Sequence, residues 1–82
     1  MGLEIAEIIM DIEDKYDIII EEKAAFSLKT IEDIVKYVYG YERERKGITK
    51  SIKIYEIEIL ELFRDRTGMV NCRLDTELKI FG

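Results

Sequence analysis

Four acids near the start of the chain, Glu4, Glu7, Asp11 and Asp14, recur at steps of three and four residues. On a helix that spacing gathers them on one face. Such a face steers and orients a basic partner; it performs no covalent chemistry. Its bland counterpart is the solvated side that any amphipathic helix keeps in water. Other chemistry finds few groups. Histidine is absent and Cys72 is the one cysteine, which argues against a zinc site or any other metal centre. The Cys72 thiol would need an activating base to act as a nucleophile, and no histidine supplies one. Two serines, Ser27 and Ser51, offer hydroxyls, and both read as structural, Ser51 as a helix N-cap. No pattern pairs two acids across a cleft, so no catalytic residues are assigned and the protein is expected not to be an enzyme.

The rest of the composition bounds what could hold such a face. With 82 residues the chain makes one small domain with one modest core, and 48% hydrophobic residues are enough to fold it. Proline is absent and Glu, Lys and Leu abound, favouring helix; the many isoleucines pull weakly toward strand. A formal charge of −5 disfavours nucleic acid and anionic membrane and favours a basic partner surface. No apolar run approaches the roughly 20 residues of a membrane span. The N-terminus lacks a basic, small-residue export signal, and the lone cysteine suits a reducing compartment. A cytoplasmic location is the expectation.

Ile5, Ile8, Ile9, Ile12 and Tyr16 form the apolar stripe opposite the acids, predicting an amphipathic helix over 2–17. Met10 sits at the border and is read as core. Ile18, Ile19 and Ile20 form a β-branched run that favours an extended connection, followed by a short helical piece over 23–28. Thr30 is a good N-cap for the next helix, with Glu32 and Asp33 in its first turn and a stripe of Ile31, Ile34, Val35 and Val38, flanked by Tyr37 and Tyr39. Gly40 reads as its stop, and the charged stretch YERERKG (41–47) as a solvated linker.

The segment IKIYEIEI alternates like a strand, yet Tyr55, Ile59, Leu62 and Phe63 also fit one helical face. The continuation LELFRDRTG lacks alternation and ends on Gly68, so a helix over 51–67 is expected. Residues 69–82 then read as a loop anchored by Leu74, Leu78, Ile80 and Phe81.

The order of these pieces resembles the acyl carrier protein family. Carrier proteins place Asp-Ser-Leu at the start of their second helix, then an acidic helix, an extended turn, a short third helix and a threonine-capped fourth. Gly2, Leu3 and Glu4 fall where Ser-Leu-Asp/Glu would fall, and EIIMDIEDKYDI, III, the short helix and KTIEDIVKYV follow without a gap. The family's first helix and the loop after it resemble IEILELFRDRTGM and DTELKIFG, at the far end of this chain. The halves thus stand in exchanged order, as in a circular permutant. The resemblance implies an all-α, small four-helix bundle in one domain over 1–82. Residues 2–39 correspond to helices two to four, 40–50 to a linker, and 51–82 to the first helix and its loop.

The family's cofactor is phosphopantetheine, joined to the motif serine through a phosphodiester. Gly2 holds that serine's place and Met1 that of the preceding Asp, so no cofactor is expected here. The resemblance further implies that Glu4, Glu7, Asp11 and Asp14 dock on basic surfaces of acyl-chain-processing enzymes of fatty-acid or polyketide type. The expected function is a carrier-like binding scaffold. The alternative is a small helical self-association protein, in which 52–82 of one molecule packs on 2–38 of another as a swapped homodimer.

Overall fold

The computed structural model describes residues 3–81, with side chains from Ile5 onward. Met1, Gly2 and Gly82 lie outside the described residues, as does the side chain of Glu4. The protein is all-helical: α1 (Leu3–Tyr16), α2 (Glu22–Ser27), α3 (Ile31–Arg45), α4 (Ile52–Thr67) and a closing 3₁₀ turn (Leu78–Phe81). Among the described residues no strand forms; Thr30 and Glu77 make an isolated antiparallel bridge.

All five positions of the α1 stripe, Ile5, Ile8, Ile9, Ile12 and Tyr16, are buried, as their spacing requires. The helix ends with Asp17 at φ 53°, in the left-handed region, while the Ile18 N–H donates to the Glu13 carbonyl at 3.1 Å. This is the Schellman way of closing a helix, with Asp where glycine is the usual choice. The extended connection then alternates, with Ile18 and Ile20 buried and Ile19 exposed.

Thr30 caps α3 as its sequence position implies. Its Oγ1 accepts from the Asp33 N–H at 3.2 Å, and the Asp33 carboxylate accepts from the N–H groups of Lys29 at 2.8 Å and Thr30 at 3.2 Å. The remaining free donors of that first turn are met from the loop after α4. Ile31 N–H donates to the Thr76 carbonyl at 3.2 Å, and Glu32 N–H to that of Leu74 at 2.8 Å.

The expected stop at Gly40 is corrected: α3 continues to Arg45, so Tyr41–Arg45 is helix and not linker. A glycine inside a helix costs about 1 kcal/mol relative to alanine. That cost is outweighed here because Tyr41 packs against the core, Glu42 is buried, and Arg43 and Arg45 face the negative end of the helix dipole. The turn comes instead at Gly47, at φ 68°.

Ile52–Thr67 is helix and not strand, opened by Ser51, whose Oγ accepts from the Lys53 N–H at 3.3 Å, and closed by Gly68 at φ 73°. Tyr55, Ile59 and Phe63 bury one face, which α3 and α1 cover. Beyond Gly68, Leu78 and Phe81 are buried and Leu74 is half-buried, as anchors should be. Ile80 is corrected: at 52% exposure it anchors nothing. Met10 is likewise corrected from core to surface, at 62% exposure among the acids of α1.

Candidate functional site

The first half of α1 borders an open cleft of about 650 Å³. Ile5 and Ile9 of α1, Ala25, Phe26 and Leu28 of α2 and the residues after it, and Leu78 of the closing turn line it. Three elements distant in sequence meet there because the Leu78 N–H donates to the Lys29 carbonyl at 2.8 Å and Thr30 bridges Glu77. Phe26 stands 69% exposed at the cleft, an apolar side chain that α2 does not bury. The polar residues at the cleft are Lys29, Thr30, Glu77 and Lys79, with the Lys79 ammonium 2.9 Å from the Glu77 carboxylate. That carboxylate, by hydrogen bond and charge, holds the Lys79 ammonium pKa above its usual value. A few polar groups around an apolar cleft is the usual form of a small-ligand site.

On the outer side of α1, the expected acidic face is partly drawn together. Arg66 of α4 reaches across to two of its members, Nε lying 2.8 Å from Asp11 and Nη2 3.2 Å from Glu7. Asp14 is exposed, and Met10 lies between them in sequence as an exposed apolar residue. Glu4 belongs to α1, with its side chain outside the description. These are surface ion pairs, each worth about 0–1 kcal/mol and open to exchange.

Two acyl carrier proteins are similar to this chain. That of Exiguobacterium sibiricum is 50% identical over 37 residues, which are 45% of this chain and 47% of the relative. That of a second Exiguobacterium strain matches with 50% identity over 37 residues as well. The chain is acyl-carrier-like over that stretch. It spans about half the length of the curated relatives it matches. No protein-family model matches the chain, and no solved structure matches it.

Phosphopantetheine needs a hydroxyl for its phosphodiester, and the serines of this acyl-carrier-like chain are Ser27 and Ser51. Gly2, at the position expected for the attachment, has none to offer. The Ser27 hydroxyl donates to the Ala24 carbonyl at 2.7 Å inside α2, and the Ser51 hydroxyl caps α4. Neither stands at the start of α1. Cys72 is buried behind α4, with the Arg64 guanidinium donating to its carbonyl at 2.8 Å. Among the described residues no cluster of three or more His, Cys, Asp or Glu could hold a metal ion.

One polar group escaped the sequence reading. Glu42, 3% exposed, accepts a short hydrogen bond from the Tyr55 hydroxyl, and the Tyr16 hydroxyl donates to Glu58 at 2.8 Å. Burial, and then the neighbouring carboxylates, push both tyrosine pKa values far above the usual range, so both remain donors. Lys50 lies over the two rings, 5.0 Å from the Tyr55 centroid and 5.9 Å from that of Tyr16. This cluster ties α1, α3 and α4 together and lies apart from the cleft beside α1. The available signal was position: Glu42 continues the stripe of Ile34, Val35 and Val38 by one more turn.

Proposed function

We propose that the protein is an acyl-carrier-like binding domain that holds an acyl chain in the cleft beside α1 without a covalent tether. Through Glu4, Glu7, Asp11 and Asp14 it docks on basic surfaces of acyl-chain-processing enzymes, in fatty-acid or polyketide-type metabolism. It is a scaffold and performs no catalysis of its own. The observation that carries this reading is an apolar cleft on the helix that bears the acids, in a chain half-identical over 37 residues to acyl carrier proteins.

In this reading α1, α2 and α3 correspond to the family's last three helices, and α4 with the loop after it to its first. The exchanged order is supported by the packing of the closing 3₁₀ turn on α1, which brings the two ends of the described chain together. With Gly2 in the serine's place, phosphopantetheine is not carried.

The test has two parts. Intact mass after incubation with coenzyme A and a broad-specificity phosphopantetheinyl transferase is expected to stay unchanged. A stoichiometric gain would mean that Ser27 or Ser51 is modified, and the untethered reading would fall. Phenylnaphthylamine, a neutral dye that fluoresces in apolar surroundings, is expected to bind the protein and to bind the Phe26→Ser variant less tightly. Equal binding to both would place the dye elsewhere and remove the cleft from the reading.

A further inference from the structure

We propose that the cargo is a free single-chain amphiphile with an anionic head, of the fatty-acid type, whose head group is received by Lys29 and Lys79. This rests on the reading that the cleft takes an acyl chain, and it names the chemistry of the end that stays in water. A tethered cargo is retained by its bond whatever the cleft offers. An untethered one is retained only by what the cleft itself supplies, so the groups around it decide which amphiphile stays.

Those groups are unusual for this molecule. The chain carries a formal charge of −5, yet two of the three charged residues at the cleft are lysines. They arrive from positions fifty residues apart, Lys29 after α2 and Lys79 in the closing turn. The Leu78-to-Lys29 backbone hydrogen bond of 2.8 Å sets their main chains side by side. The Lys79 ammonium has a carboxylate beside it, Glu77, whereas among the described residues Lys29 has no acid within ion-pair distance. The surplus of one positive charge favours an anionic head over a neutral or cationic one. The apolar part is accommodated by Ile5, Ile9, Phe26 and Leu78, in a volume inside the usual range of about 300–1,000 Å³ for ligand sites.

The experiment compares decanoate with decanol, which share a chain and differ in the head. Each displaces phenylnaphthylamine from the full chain at pH 7 and low salt, below its micelle concentration. Decanoate is expected to bind about five-fold more tightly than decanol, the size of an exposed ion pair, and the advantage should fade in high salt. In the double variant Lys29→Glu and Lys79→Glu the preference should reverse. The far-ultraviolet circular dichroism of the variant, expected unchanged, certifies that it is folded. Equal affinities in the unaltered protein, or a decanoate preference that survives the double variant, would overturn the head-group assignment and leave the cleft reading standing. Failure of both compounds to displace the dye would overturn both.

Discussion

Glu42 and Tyr55 are the clearest case of single residues tied together by burial. The carboxylate is out of water and the Tyr55 hydroxyl donates to it, so removing the donor leaves a buried acceptor unsatisfied. Tyr55→Phe is therefore expected to lower stability by about 1–3 kcal/mol in urea unfolding. An effect near zero would mean that water replaces the hydroxyl. Gly40 and Asp17 predict the opposite sign. A Cβ at Gly40 would meet nothing within 4 Å, and the backbone there is helical, so Gly40→Ala should stabilise by about 1 kcal/mol. Asp17 holds a left-handed conformation that glycine adopts without penalty, so Asp17→Gly should gain about 0.5–1 kcal/mol in the same assay. Of these three positions, Tyr55 was legible as part of a buried helical face, whereas Gly40 drew notice for the wrong reason. A glycine's preference for helix ends is local, whereas the hydrogen bond that draws α3 past it joins Glu42 to Tyr55, thirteen residues beyond that glutamate.

At the scale of elements, the start of α3 depends on a charge. The Asp33 carboxylate accepts the N–H of Lys29 first of all, then that of Thr30, and these bonds hold its pKa below the usual value of about 3.9. A carboxylate whose folded pKa is lowered adds stability that is fully present above the unfolded pKa. That stability is lost as pH falls through the folded value. The melting-temperature gap between the unaltered protein and Asp33→Asn should thus stay constant above about pH 5 and close as the solution is acidified below about pH 4. A gap independent of pH would show that the carboxylate's charge is not what caps the helix. On α1, Arg66 occupies Glu7 and Asp11, two of the acids proposed to meet a partner. Arg66→Ala should change stability by less than about 1 kcal/mol, yet speed association with an arginine-rich helical peptide at low salt. Arg73→Ala, an exposed arginine with no ion pair among the described residues, is the charge-matched control and should have the smaller effect.

At the scale of the whole molecule, one chain covers the inner faces of its own helices: α3 on α4, α1 on α4, and the closing turn on α1. A swapped dimer would bury the same faces and gain little apolar area. Ile54 and Ile57 remain exposed on α4 as the surface a self-association reading would use. Light scattering is expected to give the monomer mass independent of concentration, and a mass that doubles on concentration would favour the exchanged assembly.

What the sequence determined by itself was local. Thr30, Ser51 and Gly68 mark helix ends through bonds that span two to four residues, and the isoleucine spacing of α1 places its buried face without reference to any neighbour. Helix type and most boundaries were legible for that reason, and the order of the acids along α1 with them. Tertiary structure decided what depends on a second element. Whether Met10 and Ile80 are covered turns on which helix lies beside them, and neither has one that covers it. Glu42 becomes core because Tyr55 waits opposite. The cleft belongs to no segment at all, since Ile5, Phe26 and Leu78 carry no shared local pattern. It exists because loop carbonyls and N–H groups near Lys29 and Leu78 satisfy one another, and a pairing across so long a stretch of chain leaves no periodicity to read.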